Sequence, residues 1–567
     1  MLKRQSSASS LPTPNRSAAL GKQSISNPWS TAALFAMWTY LLSPLAFYVW
    51  LNRTDNLLDT LFVFTVVTSS LWLALAFFAV RRPFVLHLAL APLYVMTATN
   101  LFLLGTFGAR LSSGYVTIIL TDHADAREFF ATYASSVTFA AIILCVVYLP
   151  GLYALHGMRR QRSPRLACLA AALLVIAYAA AIGRSIAQGA DTKLAVLDVA
   201  SHEYGAPVGA VFQTALAVHL HRDTSELRRQ RDLHSFGVTT SSAVPGEVYV
   251  WVIGESARPD NWSLFGYSRD TTPQLRAIPG IIPLRNMLTT APHTAVAVPS
   301  MLSLRPITDW RSVVSQKTIV GAFNEAGFKT YWLSAQAADS WAGIIPQAAA
   351  EAKRRRYFDD GHDGALLIEL RQVLSNAAKG EKLFIVLHTK GSHFEYSRRY
   401  PPEFARFATA NATRRQRLVD AYDNSILYTD WLLSEIISTL SRRDAPSTLV
   451  YASDHGENLL DDENQLLGHA IGSGYDLRTA ALVWFSDSMR RDHANQVANV
   501  HRHADAPLSL SNLPQTVLDM AGIDARGLNR SLSVASSDFV TLPRWYMVRG
   551  DLRKEAVLPS AEKRIPP

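Results

Sequence analysis

The sequence predicts a chain in two parts, an α-helical membrane domain of five transmembrane helices followed by an α/β domain with a mainly parallel sheet. Three observations predict it. Apolar residues make up 49% of the 567 positions, give a mean hydropathy of +0.08, and crowd into the first third. From about residue 247 the texture changes to short apolar runs alternating with helical patterns, as in α/β domains. The run Val248 to Ile253 closes abruptly in Gly254-Glu255-Ser256. That places a carboxylate at the carboxyl end of a buried strand, where open α/β sheets hold their ligands.

Residues 1–28 are rich in Ser, Asn and Pro, carry Lys3, Arg4, Arg16 and Lys22, and read as a disordered cytoplasmic tail. Five apolar spans follow at about 31–51, 59–80, 84–108, 132–155 and 165–187, each near the ~20 residues that cross a bilayer. The tail, Arg81-Arg82 and the cluster Arg159, Arg160, Arg162 and Arg165 fall on one side when the spans alternate. The positive-inside rule makes that side the cytoplasm. Everything after about residue 188 is then expected in the periplasm, on a multi-pass protein of a bacterial inner membrane. The loop Ala109 to Phe130 faces the same compartment, and its apolar stretch Tyr115 to Leu120 suits either the membrane interface or a plain connection. The expected divisions are a transmembrane domain over 29–190, a linker over 191–245, the α/β domain over 246–545 and a loose basic tail over 546–567. Within the linker, Leu227 to Asp232 reads as a solvated helix.

Lys+Arg 55 against Asp+Glu 46 gives a net charge of +9. Part of that excess sits in short Arg clusters beside apolar spans, a pattern of membrane topology and not of nucleic-acid binding. The 2 cysteines, Cys145 and Cys168, lie inside spans, so the polar remainder carries no disulfide.

In the α/β domain, strands are expected at 248–253, 330–334, 383–388, 448–452 and 480–485. Helices are expected near 295–303, 317–326, 363–377, 412–440 and 511–521. Ligand-type residues stand at several element ends. Glu255 follows the first strand. Thr294, in Pro292-His293-Thr294-Ala295-Val296-Ala297-Val298-Pro299, opens a helix, where oriented N–H groups suit a phosphate; a plain helix cap is the commoner role for such a Thr. Ser453-Asp454-His455-Gly456-Glu457 closes a third apolar run, and His393 and His469 follow in Gly391-Ser392-His393 and Leu467-Gly468-His469. Glu255, Thr294, Asp454 and His455 together offer three oxygens and one nitrogen, a set that Zn²⁺ accepts tetrahedrally. A metal held there would lower the pKa of the Thr hydroxyl and favour the nucleophilic alkoxide.

The strings Gly254-Glu255-Ser256-Ala257-Arg258, Thr294 before Ala-Val-Ala-Val-Pro, Tyr422-Asp423-Asn424-Ser425-Ile426 and Ser453-Asp454-His455-Gly456-Glu457 resemble those of the membrane-bound phosphoethanolamine transferases of the alkaline phosphatase and sulfatase superfamily. The resemblance covers both halves and implies an alkaline phosphatase-like fold. It implies Thr294 as the residue that becomes modified with phosphoethanolamine, and Glu255, Asp454 and His455 as completing a zinc site with it. His393 and His469 would hold the substrate phosphate or a second zinc. The implied donor is phosphatidylethanolamine, and the implied acceptor an envelope glycan or lipopolysaccharide. The chain departs from the lipid A-modifying members in lacking catalytic-domain cysteines, in Ser300 where those members often have Cys, and in Leu120 where a Glu would align. These departures point toward other envelope glycans as acceptors.

An arylsulfatase would need Cys or Ser before x-Pro-x-Arg, and Thr294 is followed by Ala-Val-Ala-Val. A phosphoglycerol transferase shares the architecture and the metal chemistry and is the enzymatic alternative. A catalytically dead membrane sensor is the alternative of another class, marked by loss of a ligand. The Arg-based orientation has a direct test: a reporter fused after about residue 240 is active only when it is periplasmic, and cytoplasmic activity of that fusion would reverse the topology.

Overall fold

A computed structural model describes residues 28–52, 60–107, 130, 133–156, 158, 162–187, 227, 229–240, 245–336, 344–358, 361–443, 445–461, 466–548 and 551–555. The tail before Pro28, nearly all of the 109–130 loop including Leu120, most of the linker and the positions after 555 lie outside these residues.

Each apolar span falls on helix: α1 Pro28–Asn52, α2 Thr60–Ala79, α3 Pro83–Ala89 with α4 Ala91–Phe107, α5 Ala134–Leu155 and α6 Pro164–Ala187. By length and composition, α5 and Pro164–Arg184 of α6 are long and apolar enough to cross a membrane, and α3 with α4 makes a third such unit, bent by 57°. The bend has a local cause. Pro92 has no N–H to offer the Leu88 carbonyl, so the chain turns at Leu90 and restarts. Helix α1 packs on α4 and α5, and α2 packs on α6. Large apolar side chains such as Phe139, Val146, Tyr153, Val175 and Ile176 face outward from α5 and α6, a surface suited to lipid and costly in water.

The α/β domain is built on seven strands: β1 Val248–Gly254, β2 Ile281–Pro283, β3 Lys329–Ser334, β4 Arg354–Tyr357, β5 Leu383–His388, β6 Ser447–Ser453 and β7 Ala481–Phe485. They lie in the order β2-β7-β6-β1-β5-β3-β4. Only β7 runs against its neighbours; β1 is parallel to both β5 and β6. The unbroken apolar reading of β1 follows from burial on both faces. Tyr249, Trp251 and Ile253 enter one core with α7 Thr294–Met301, α8 Ile319–Glu325 and α11 Asn512–Met520. Val248, Val250 and Val252 enter the other with α9 Gly364–Ser375 and α10 Arg414–Ser441. A strand sandwiched between helices carries no polar face, hence no alternation. A capping box between Thr413 and Gln416 fixes the start of α10.

The structure departs from the sequence expectation at polar and short elements. Strand β4, absent from the expected strands, is an exposed edge carrying Arg354, Arg355 and Arg356; such residues guard an edge from unwanted pairing. Residues 545–554, expected as loose tail, form a hairpin of Trp545–Val548 with Asp551–Lys554. Arg544 anchors it through the Asn286 and Leu508 carbonyls at 2.8 and 3.0 Å. The folded domain also begins before 246, because Thr239-Thr240 pairs with Ile523-Asp524.

The helix around 229–233 is not wholly solvated. Arg231 is buried and its Nε donates to Glu351 at 2.8 Å, while Glu351 also accepts from the N–H groups of Thr318 and Gly321 at 2.9 and 3.1 Å. This single carboxylate ties the segment preceding the domain to the start of α8. Glu351→Ala would leave the Arg231 guanidinium buried without its charge partner, at a cost of about 3–5 kcal/mol. Chemical denaturation of the full chain, followed by tryptophan fluorescence, is expected to show a loss of that order, whereas Arg355→Ala on the exposed edge changes stability by about 0.5 kcal/mol or less.

Candidate metal centre

Three adjacent strands deliver the site. Strand β1 ends in Gly254 and hands on Glu255; β6 ends in Ser453 and hands on Asp454 and His455; β5 ends in His388 and leads to Ser392 and His393. Helix α7 begins at Thr294. The four residues expected to act together do come together, all fully buried. The Thr294 hydroxyl lies 3.3 and 3.2 Å from the two Glu255 oxygens and 3.3 Å from His455 Nε2. His455 Nε2 is 3.3 Å from Glu255 Oε1 and 3.4 Å from Asp454 Oδ2. Glu255, Asp454 and His455 each aim one ligand atom into a space where all such atoms lie within 4.8 Å of one another.

These separations fit a metal better than a hydrogen-bond network. Zinc bonds of roughly 2.0–2.1 Å give tetrahedral edges of roughly 3.3–3.4 Å, whereas good O–H···O bonds centre near 2.7–2.8 Å. The protonation pattern agrees. His455 Nδ1 is 2.8 Å from the Gly456 carbonyl; that oxygen accepts the Nδ1 proton and turns Nε2 toward the carboxylates. Asp454 Oδ2 is buried with no hydrogen-bond partner, an arrangement that calls for a cation. Burial, then the nearby Glu255 charge, pushes Asp454 up to about 7. Burial would lower His455, but Asp454 and Glu255 outweigh it and lift the group to about 10. Burial likewise opposes ionisation of Glu255, and the His455 contact holds it well below the ordinary carboxylate range. The cluster thus retains positive charge against its carboxylates, a place a divalent cation can take.

Steric crowding fixes the ligands. Ser256, directly after Glu255, sits at φ 55, a left-handed conformation uncommon for a residue with Cβ. Its N–H donates to Asp454 Oδ1 at 3.2 Å and its hydroxyl to Glu255 Oε1 at 3.0 Å. Gly391, at φ +50, lies so close that a Cβ there would fall 2.8 Å from both the Glu255 nitrogen and carbonyl oxygen. Asp363 accepts from the N–H groups of Lys390 and Gly391 at 2.8 and 2.9 Å and holds that loop down. From α10, Tyr422 donates to the Ser256 carbonyl at 2.6 Å and accepts from the Arg258 N–H at 3.0 Å. Arg258 reaches the Glu457 carbonyl at 3.0 Å and forms a buried ion pair with Asp461 at 2.6 Å. The Tyr422-Asp423-Asn424-Ser425 string is therefore scaffolding beneath the site, and Asp423 accepts from Asn261 at 2.6 Å.

His393 and His469 line the same space. The His469 ring centre is 4.2 Å from that of His455 and 6.3 Å from that of His393. Reasoning from sequence had left Glu457 and Gln336 without roles. Glu457 Oε2 is 2.9 Å from His469 Nδ1, while its Oε1 accepts from Tyr396 at 2.8 Å; His455, Glu457 and His469 form a second group able to hold a cation. Gln336 Nε2 donates to the Thr389 carbonyl at 2.9 Å and approaches Glu255 Oε2 at 3.4 Å. Both residues follow strand ends, β6 and β3, and the strand-end rule applied to every strand would have marked them. His293 precedes the nucleophile candidate; burial, then the His455 and His469 charges, lower it to about 3, so it stays neutral.

Residues 247–523 match the sulfatase family. YhbX of Escherichia coli K12, a putative transferase, is 38% identical over 212 residues, covering 37% of this chain and 38% of YhbX. Phosphoethanolamine transferase EptC of Escherichia coli K12 is 26% identical over 319 residues, covering 52% of this chain and 54% of EptC. Residues 247–523 thus carry a sulfatase-family domain, and the proteins similar to the chain include phosphoethanolamine transferases. It spans about two fifths of YhbX and about half of EptC in these matches. The periplasmic domain of Escherichia coli EptC in complex with Zn has the same fold, with TM-score 0.54 at 24% identity over 58% of this chain and 98% of that one. The likeness of fold extends through the membrane half. The integral membrane lipooligosaccharide phosphoethanolamine transferase EptA of Neisseria meningitidis superposes with TM-score 0.68 at 21% identity, over 90% of this chain and 98% of EptA.

Purified full-length protein is expected to contain zinc, measured by elemental mass spectrometry, and Glu255→Ala, Asp454→Ala and His455→Ala each to lower that content. Gly391→Ala removes no ligand yet is expected to lower zinc too, by displacing Glu255. Stoichiometric zinc in the triple ligand variant would place the metal elsewhere.

Proposed function

We propose that this chain transfers phosphoethanolamine from phosphatidylethanolamine to a periplasmic or outer-envelope glycan or lipopolysaccharide acceptor, by way of a covalent Thr294 intermediate at a zinc site. One observation carries this reading: the Thr294 hydroxyl opens α7 and lies 3.2–3.3 Å from Glu255 and His455 ligand atoms. A hydroxyl so placed has the geometry of a metal-activated nucleophile and lacks that of a cap, since it accepts from no N–H of its own helix among the described bonds. Five membrane spans, with the α/β domain in the periplasm, bring such a site to a lipid donor.

Glu255, Asp454, His455 and Thr294 would hold the zinc, which when bound lowers the hydroxyl pKa and offsets charge on the substrate phosphate. The Thr294 oxygen attacks phosphorus, the bond from phosphorus to the glycerol oxygen breaks, and diacylglycerol leaves. His469, oriented by Glu457, is placed to donate a proton to the departing alkoxide. An acceptor hydroxyl, giving its proton to the histidine that lost one in the first step, then attacks the same phosphorus; the bond to Thr294 breaks, the threonine oxygen is released, and the product carries phosphoethanolamine. Through both steps charge builds on the non-bridging oxygens, which preorganised donors must meet. His393 is pulled down to about 3, chiefly by burial with Glu255 opposing, so as a neutral ring it can accept a proton or ligate.

Thr294→Ala is expected to abolish both half-reactions while keeping the fold and much of the zinc, and Thr294→Ser to keep partial activity. Intact-protein mass spectrometry after incubation with phosphatidylethanolamine is expected to show a phosphoethanolamine-sized adduct on Thr294, strongest without acceptor. A glycerophosphate-sized adduct formed from phosphatidylglycerol, with none from phosphatidylethanolamine, would instead indicate phosphoglycerol transfer, and wild-type transfer by Thr294→Ala would overturn the mechanism.

A further inference from the structure

The membrane half touches the α/β half beside the site, at two places that flank its two outer histidines. Tyr133, the residue immediately before α5, stacks on Phe394 with ring centres 6.5 Å apart and planes 29° from parallel. The same Tyr133 ring meets Phe102 of α4 edge-on at 6.1 Å. Phe394 follows His393, and their rings are 4.4 Å apart. Separately, α4 packs against the short strand Leu467–Gly468, which runs directly into His469. An unbroken series of ring contacts therefore runs from Phe102 in the membrane domain through Tyr133, Phe394, His393 and His469 to His455.

The two sides of the site are held differently. Glu255 is fixed from inside the α/β domain by Gly391, Ser256 and Gln336, and Asp454 by the Ser256 N–H. The loop bearing His393 is pinned at its start, where the Ser392 N–H donates to the Glu255 carbonyl at 2.9 Å. Past His393 its anchors change. Arg399 donates to the Phe394 carbonyl at 3.1 and 3.2 Å, Glu395 takes φ 60, and the Phe394 ring rests on Tyr133. A loop with a left-handed non-glycine residue is held in place only by its surroundings, and here part of those surroundings belongs to the membrane domain.

We propose that Tyr133 is a positioning residue for the transfer reaction: by stacking on Phe394 it makes the membrane domain set the placement of His393, while the four-ligand metal set stands independently of that contact. This rests on the reading of the site given under Proposed function. Its meaning is that the proton- and phosphate-handling side of the site is completed only when the α/β domain is seated on the helices through which a lipid donor arrives. An aromatic pair at such a distance adds a modest stabilisation beyond its buried area. That suffices to bias a loop without holding two domains together alone.

The test uses the full-length protein in lipid nanodiscs, as wild type, Tyr133→Ala, Tyr133→Phe, Phe394→Leu and the Tyr133→Ala/Phe394→Leu double variant. Two donors are supplied: phosphatidylethanolamine in the disc, and the soluble p-nitrophenyl phosphodiester of ethanolamine, which needs no route through the bilayer. Tyr133→Ala is expected to keep its zinc and lose about tenfold or more in kcat on both donors, with KM for the soluble donor nearly unchanged. Tyr133→Phe keeps the ring and is expected to restore the wild-type rate. The double variant is expected to lose no more than the worse single variant, as for two residues acting through one contact. Wild-type kcat in Tyr133→Ala, loss confined to the membrane donor, loss of zinc, or fully additive losses would each overturn the proposal. A wild-type protein that transfers nothing to either donor's acceptor would overturn the functional reading itself and this inference with it. Normal wild-type transfer beside an unaffected Tyr133→Ala strikes at the inference alone.

Discussion

Two carboxylates and an imidazole are buried against one another with a hydroxyl between them, and the rest of the α/β domain is arranged to tolerate that. Glu255, Asp454 and His455 are all less than about 2% exposed. Like charges in a medium of low dielectric repel strongly and lose their hydration, so without a cation at least one group must change its protonation state. The surroundings supply rigidity instead of relief. Gly391 presses on the Glu255 backbone, Ser256 takes a strained conformation, and Tyr422 clamps the turn from beneath. A site that cannot spread apart to reduce its repulsion is preorganised for a metal.

Much of this was legible in the sequence, for identifiable reasons. Strands β1, β5 and β6 are buried on both faces, so each reads as an uninterrupted apolar run, and the residue closing each run is displayed at the ligand edge of the sheet. That is why Glu255, Asp454 and His455 stood out, and why Thr294 could be placed at a helix start. Elements whose character comes from their neighbours were hidden. Strand β4 consists of three arginines and a tyrosine and is a strand only because β3 offers it a partner. The hairpin at 545–554 depends on Arg544 reaching Asn286 and Leu508, which no local pattern announces. Arg231 looked solvated because its partner Glu351 is remote in sequence. Glu457 was in plain view within its string and lacked only a reason, which the His469 ring supplies.

The four strings that carried the family resemblance do not share one kind of work. Gly254 to Arg258 contains a candidate ligand, Glu255, and also a structural arginine whose ion pair with Asp461 pins the chain after β6. Tyr422 to Ser425 lies on one buried turn of α10 and contributes no ligand. It shapes the floor through the Ser256 carbonyl, Asn261 and the Ser392 hydroxyl, which accepts from Ser425 at 2.8 Å. A motif can thus mark a site by supporting it from below.

The hairpin ties the centre to the order of synthesis. The Met547 N–H donates to the Thr290 carbonyl at 2.8 Å, and Val548 packs on Gly472. The Ala470 N–H, beside His469, donates to the Pro292 carbonyl at 2.7 Å. The turn leading to Thr294 is thus braced by segments that leave the ribosome long after it. While the domain is still being made, the strand leading to Glu255 can form but the turn before Thr294 lacks its last supports. The Thr294 hydroxyl comes under full restraint only after those later segments have been made, so an incomplete chain does not yet carry a finished cluster.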